Sequence, residues 1–328
     1  MTEDNNLVKN YGLTKPYSFS STYRVQKYYP TKTQKYINEL LSKKSDVYSL
    51  FRKKKRPKKL NPIYVRHPRQ LFQADCIYFN NDKYKRANRG YKFLLVIIDC
   101  YTKYVWLRPL KNLQCTSTVD AFKDVFETLQ DKPIKLQTDQ GKEFKCALMK
   151  TFLQENNVFH YFSFGDRKSA IVERVNRTLQ NLLYQLLHER KTNKWITLLD
   201  ELLHIYHNRY HKTIRMTPLE AEQKKNRKKL RRIYKKRYDS IRPQKPVFKV
   251  GDKVRLNLSL YANTDENKKN PSKRLKRREY LEQFTNEKFR IAQVNTDMPI
   301  PTYRVTKLDT GEPVRGGTFY KGELSLTE

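Results

Sequence analysis

Six consecutive apolar residues, Phe93-Leu94-Leu95-Val96-Ile97-Ile98, stand between Lys92 and Asp99. Successive side chains of a strand point to opposite faces, so an unbroken apolar run of this length reads as a strand buried on both sides. It is too short and too β-branched for a buried helix. A strand of that kind needs a covering layer above and below, which makes the chain around it an α/β fold with a central sheet.

The neighbouring sequence supplies the rest of such a sheet. Phe72 to Phe79 reads as a strand, joined to the apolar run by the polar, Gly-ended connection Asn80 to Gly90, as in a hairpin. Tyr104 to Leu110 gives a third strand. Val119, Phe122, Val125, Phe126 and Leu129 recur at helical spacing, so 116–130 is a helix lying on the sheet. A fourth strand spans 134–139, a helix about 143–156 and a fifth strand 158–162. Phe164 to Lys168 is a loop. Helices follow at 170–190, 195–208 and 218–225, the last opened by Thr217-Pro218 as cap and first helical residue. Three antiparallel strands followed by alternating helices and strands make a mixed sheet.

The flanks differ from this core. Residues 1–30 are polar and Tyr-rich and read as irregular, and 31–51 fit one or two short helices. A charge run at 52–59 ends any helix. Residues 224–246 read as a basic connector with little apolar periodicity. From Val247 onward short strands with tight turns (247–256, 288–294, 302–308, 312–319 and 323–326) predict a small β-barrel. The expected parts are therefore 1–70, 71–223, the linker 224–246, and 247–328.

Charge separates these parts. The 328 residues carry 69 Lys and Arg against 33 Asp and Glu, a net charge of +36. An excess of that size favours a polyanionic partner, nucleic acid first. It concentrates in the flanks: residues 1–70 hold 17 basic and 4 acidic residues, and 224–246 hold 12 and 1. The near-balanced middle, with 24 and 17 over 71–223, fits a folded core between DNA-gripping arms. No apolar stretch approaches the ~20 residues that span a bilayer, and the first residues, Met1 to Asn6, lead into no apolar run of a secretory leader. Four cysteines, Cys76, Cys100, Cys115 and Cys146, show no metal-ligand pairing and read as reduced thiols of an intracellular protein.

Three acids have the settings a metal-dependent phosphoryl-transfer site needs. Asp75 lies in the first strand, Asp139 ends the fourth and is followed by Gln140-Gly141-Lys142-Glu143-Phe144, and Glu173 opens an amphipathic helix. Hard Mg²⁺ prefers carboxylate oxygens, and two ions clamp the attacking and leaving oxygens of an in-line displacement. The alternative is that all three are ordinary solvated carboxylates.

The blocks Gln73-Ala74-Asp75, Leu95 to Lys103, Thr138 to Phe144, Ala170 to Arg177 and Tyr206 to Pro218 together resemble the retroviral-type integrase core. Lys168 to Arg174 and Gly316 to Tyr320 most resemble integrases of Polinton/Maverick elements and virophages. The resemblance spans roughly residues 70–328. It implies an RNase H-like catalytic core, a helical N-terminal region and a C-terminal SH3-like DNA-binding barrel. It also implies an Asp75, Asp139, Glu173 triad holding two Mg²⁺ ions, for which Mn²⁺ substitutes. The implied activity is a DNA integrase of a mobile element or virus. It processes 3′ ends and transfers strands from element DNA into target DNA, as a homo-multimer in the nucleus, or in a virion and then the nucleus. A non-catalytic DNA-binding derivative and a same-fold metal-dependent nuclease are the alternatives. Thirty-three residues separate Asp139 from Glu173, slightly fewer than is usual in retroviral integrases, and before Cys76 only His67 offers a zinc ligand, so no N-terminal zinc site is expected.

Lys168, Arg174 and Arg177 surround Glu173, with Arg177 four residues on and on the same helix face; the resemblance supports DNA phosphate contact. Gln140, Gly141 and Lys142 are expected in a mobile loop that also meets DNA, with Gly141 allowing it to flex. Asp99 reads as capping the Tyr101-Thr102 turn, Asp166 as a turn residue and Glu143 as a carboxylate in a helix's first turn. His204, His207 and His211 have spacing compatible with zinc but lack supporting carboxylates, and read as packing and hydrogen-bonding residues.

Overall fold

A computed structural model describes residues 3–11, 21–51, 60–79, 81–163, 170–261, 283–314 and 318–328. The described residues fall into two compact units, one of Pro62–Ser163 with the described chain from Ala170 to Ile241, the other of the residues up to Asn61 with Arg242–Glu328.

In the second of these units the chain begins with α1 (Glu3–Tyr11), α2 (Thr22–Tyr28), α3 (Gln34–Lys44) and α4 (Asp46–Phe51). The helices α1 and α2 replace the irregular segment expected over 1–30. Their apolar residues are few but placed one turn apart: Leu7, Tyr11 and Val25 bury against Ile37 and Leu41 of α3, which polar composition alone conceals.

The first unit holds β1 (Leu71–Tyr78), α5 (Asp82–Ala87), β2 (Phe93–Asp99), β3 (Val105–Leu110), α6 (Cys115–Glu127), β4 (Lys135–Thr138), α7 (Ala147–Glu155), β5 (Phe159–Phe162), α8 (Ala170–Glu189), α9 (Leu199–Asn208), α10 (Pro218–Glu222) and α11 (Arg227–Asp239). The sheet order is β3-β2-β1-β4-β5. The first three strands are antiparallel, and β1/β4 and β4/β5 are parallel. All of β2 is buried, as its apolar run requires. Phe93, Leu95 and Ile97 face α6 and α7, while Leu94, Val96 and Ile98 face α8 and α9. Strand β1 alternates likewise: Phe72, Ala74 and Cys76 join the first layer and Ile77 the second.

Several local expectations change. The connection over 80–90 contains α5, capped by the Asn81 side chain on the Lys83 N–H at 3.0 Å. The helix expected from 143 starts at Ala147. The segment expected as a linker is the regular helix α11, fixed on this unit by Leu230 and Tyr234. The Tyr234 ring stacks on Tyr101 at 5.1 Å, and its hydroxyl donates to the carbonyls of Cys100 (3.1 Å) and Tyr101 (2.8 Å). Cys115 and Cys146 are disulfide-bonded, not reduced as expected. They lie 31 positions apart in sequence, yet one is the first residue of α6 and the other the N-cap of α7, so packing the two helices side by side joins them. Cys76 and Cys100 are free and buried.

The last segments are β6 (Lys253–Leu256), α12 (Leu258–Tyr261), β7 (Phe289–Asn295), β8 (Thr302–Lys307), β9 (Phe319–Tyr320) and β10 (Leu324–Leu326), one antiparallel sheet in the order β10-β6-β7-β8-β9. No strand forms over 247–250; Gly251 turns the chain at φ +94° and β6 starts after it. The N-terminal helices belong with this sheet: the Leu50 carbonyl accepts from the backbone N–H groups of Gln283 and Phe284, and the Asn61 side chain bonds both backbone groups of Ile300. Among the described residues no helix is long and apolar enough to cross a membrane.

Candidate active site

Asp75 and Asp139 are brought together by register. The parallel pair β1/β4 aligns Leu71 with Lys135, Phe72 with Leu136 and Gln73 with Gln137, where pairing ends. Each aspartate stands two residues beyond that last pair, on its own strand and on the same face as the glutamine before it. The pair thus sits at the carboxyl end of the two parallel strands, where they part, which is where open α/β sheets bind ligands.

That face is the one covered by α8. Gln73, in the middle of β1 and fully buried, ties the layers together. Its Oε1 accepts from the first-turn N–H groups of Ile171 (3.2 Å) and Val172 (3.0 Å), and its Nε2 donates to Gln137 Oε1 at 2.7 Å. One side chain therefore holds three elements in place: β1 with Asp75, β4 with Asp139 and the start of α8 with Glu173. Asn176, one turn beyond Glu173, donates from Nδ2 to Asp75 Oδ2 at 2.9 Å. Asp75 Oδ1 accepts from the Cys76 N–H and Asp139 Oδ1 from the Gly141 N–H, both at 2.9 Å. Sequence reading assigned no role to Gln73 or Asn176. The signal was present in their spacing: two residues before Asp75 along a strand, three after Glu173 along a helix, each on the acid's own face.

Glu143 is a correction. It precedes α7 instead of opening it, is 9 % exposed, and its carboxylate fills the space that a Cβ on Gly141 would need, within 2.5 Å. Gly141 does not take a left-handed backbone conformation, and a side chain there would displace the Glu143 carboxylate. Burial pushes the Glu143 carboxyl up; its own backbone N–H opposes this and the charge of Asp139 adds to it. Burial also lifts the Cys76 thiol well above its usual range, reinforced by Glu143, Asp75 and Asp139. Glu173 stands in the first turn of α8, whose Ile171 and Val172 N–H groups are held by Gln73.

Gln140 and Gly141 are half-buried beside Asp139, and Lys142, Arg174 and Arg177 are exposed. Lys168 and Asp166 lie outside the described residues, as does the basic run 52–59. Asp99 caps its turn as expected, accepting from the Tyr101 N–H at 2.7 Å, and also receives the Arg69 guanidinium at 3.0 Å. His207 is buried, stacked on Tyr104 at 3.9 Å and bonded to the Val105 backbone, while His204 bonds Asn208 and His211 the Thr213 N–H.

Among the described residues no three His, Cys, Asp or Glu side chains are gathered tightly enough to hold a metal ion. The donor set nevertheless suits one. Asp75 and Asp139 offer hard carboxylate oxygens from adjacent strands. Asn176 Oδ1, on a side chain 7 % exposed against Asp75, is buried without a hydrogen-bond partner.

Residues 65–164 match the family described as Integrase core domain. The match includes Asp75 and Asp139 and stops before Glu173. A transposon-derived protein of Caenorhabditis elegans is 30% identical over 179 residues, 53% of this chain and 58% of its own length. The Pro-Pol polyprotein of simian foamy virus type 1 is 32% identical over 133 residues, 40% of this chain and 11% of its own. The chain thus spans little more than half of the first relative and about a tenth of the second. A chain of the simian T-cell lymphotropic virus intasome, solved in complex with the PP2A regulatory subunit B56 gamma, shares the fold with a TM-score of 0.64 at 13% identity, covering 98% of both chains. Residues 65–164 are thus similar to an integrase core domain.

Proposed function

We propose that this chain, built around a retroviral-type integrase core, is a DNA integrase that processes the 3′ ends of element DNA and joins them to target DNA. The observation that carries this reading is the shared face of Asp75 and Asp139, two residues beyond the Gln73–Gln137 pair, with the helix of Glu173 held to it by Gln73 and Asn176. Asp75, Asp139 and Glu173 would hold two Mg²⁺ ions, or Mn²⁺ in their place. Bound there, the ions supply a nucleophile active at neutral pH and stabilise the charge on the leaving oxygen.

The protein's own share is placement. Asn176 and the Cys76 N–H each engage one oxygen of Asp75 and fix its plane, and the Gly141 N–H does the same for Asp139. Gln140, Gly141, Lys142, Lys168, Arg174 and Arg177 are proposed to meet the DNA, with the exposed arginines reaching phosphates. The C-terminal sheet, whose strands run in the order of an SH3-like barrel, is proposed as a second DNA-binding surface. Joining two DNA ends in concert calls for a homo-multimer, and a chromosomal target places the reaction in the nucleus.

A strand-transfer assay tests this, with a labelled element-end duplex, a supercoiled plasmid target and Mg²⁺ or Mn²⁺, comparing wild type with Glu173→Gln. Joined products from the wild type alone support the reading. Nicking without joining moves it to a nuclease, and DNA binding with neither reaction to a non-catalytic DNA-binding protein.

A further inference from the structure

The turn between β2 and β3 holds a buried cation that makes no ion pair among the described residues. Lys103 has a φ of +64°, a left-handed conformation that glycine adopts without strain and lysine does not. Its side chain is nonetheless 96 % buried by its 4 % exposure, and its Nζ donates to the Cys100 carbonyl at 2.5 Å. The carbonyl of Lys103 itself accepts from the Tyr206 hydroxyl at 3.3 Å.

Other positive groups converge on it from separate elements. Tyr234 of α11 donates to the same Cys100 carbonyl, and Lys103 Nζ lies 5.9 Å from the Tyr234 ring. Arg237 follows Tyr234 by three residues, on that side of α11. Ile171 of α8 packs into the cluster formed by Cys100, Tyr101, Ile214, Met216 and Tyr234, and Arg174 follows Ile171 by three residues. His211 closes the group through its backbone bridge to Met216. Burial disfavours the Lys103 ammonium; Cys100 and Asp99 oppose this, and Arg237 and Arg174 add to it, while burial, then Lys103, Arg174 and Arg237, hold the half-buried His211 ring down to about 4. Among the described residues Lys103, Arg174 and Arg237 have no ion-pair partner; Asp99, the nearest acid, is engaged by Arg69. Like charges gathered round a buried ammonium oppose folding unless an anion lies among them.

We propose that Lys103, Arg174, His211 and Arg237 form a phosphate-binding site, with the buried ammonium as its floor and the two exposed arginines as its rim. The arginine forks match a phosphate's oxygens, and the compact ammonium supplies a point charge beneath them. The phosphate is either one group of a nucleic-acid backbone or a free inorganic anion. Only the first of these sources rests on the integrase reading.

The test compares thermal unfolding of the full chain in inorganic phosphate and in chloride at equal ionic strength. Two double variants lose the same charge: Arg174→Gln with Arg237→Gln at the site, and Lys85→Gln with Arg86→Gln elsewhere on exposed surface. Phosphate should raise the midpoint of the wild type and of the second variant by about 3 °C, and leave the first unmoved. An equal response in both variants, or none in the wild type, overturns the site. A short duplex then identifies the source. If saturating DNA abolishes the phosphate-dependent shift in ³¹P resonance of added phosphate, the backbone fills the site; if the shift persists, the site takes the free anion. Neither arm depends on strand transfer, so an inactive chain with a working site and an active chain without one are told apart.

Discussion

At the residue scale the site depends on two amides as much as on three acids. Asn176 of α8 donates to Asp75, and its buried Oδ1 has no partner. Asn176→Ala removes a hydrogen bond to a carboxylate, so the folded state should lose about 1–3 kcal/mol in denaturant titration. DNA joining should fall at least tenfold while DNA binding stays. Unchanged joining would show that Asp75 does not need this donor. Gln73→Leu keeps the volume but strands two α8 N–H groups, and should cost more stability than Asn176→Ala. The three acids stand out in the sequence because each has a distinctive frame of neighbours, and the β1/β4 register brings Asp75 and Asp139 to one face. The amides carry a signal only in their spacing from those acids, and nothing in a single sequence reveals that the pairing of β1 with β4 ends at Gln73. Glu143 was placed on a helix for a related reason: apolar spacing locates a helix but sets its first turn loosely, and here the turn from Gly141 delays it to Ala147.

At the element scale, β2 shows what patterning conveys best. Its unbroken apolar run predicted burial on both faces, and α6 and α7 on one side with α8 and α9 on the other supply that burial. Helix α11 shows the converse. Leu230, Ile233 and Tyr234 have helical spacing, but the basic residues around them outnumber them and hide the stripe. The same weakness hid α1 and α2. Between α6 and α7 the disulfide makes a separate prediction. Closing a loop of 31 positions restricts the unfolded chain, worth roughly 3–4 kcal/mol in the chain-entropy view, so a reductant should lower the unfolding midpoint. Alkylation of the unfolded, unreduced protein should label Cys76 and Cys100 only; four labelled cysteines would show the bond absent. Between α9 and β3, His207 gives a pH dependence. The fold holds it neutral to about pH 4, chiefly by burial, whereas the unfolded chain protonates it near 6.5. The unfolded state therefore binds more protons across that window, and stability should fall as pH drops from 6.5 toward 4, by up to about 3 kcal/mol for this residue. His207→Phe should flatten that slope in unfolding measured at several pH values.

At the scale of the whole molecule, charge decides how the chain meets its partner. A net charge of +36 attracts any polyanion, and attraction of that kind does not distinguish one nucleic-acid sequence from another. What the fold adds is order in a part of that charge. As a flexible connector, residues 224–246 would spread their cations among many arrangements. As α11, anchored by Leu230 and Tyr234, they present Lys228, Lys229, Arg232, Lys235 and Lys236 from a fixed helix on the unit that holds β1 to β5. A fixed array meets a fixed number of phosphates, and that number is measurable. Affinity for a duplex should fall linearly on a log–log plot against salt, with a slope near 0.9 per phosphate neutralised. Replacing Lys228 and Arg232 with Gln should reduce the slope by about 2 if both contact phosphate, alike for every duplex sequence. Replacing Tyr234 with Ala tests the anchoring itself. It removes no charge, yet it frees the helix from the Cys100 and Tyr101 carbonyls. Weaker binding in that variant, with the protein still folded, would show that the placement of the cations matters beyond their number; undiminished binding would reduce α11 to a source of charge.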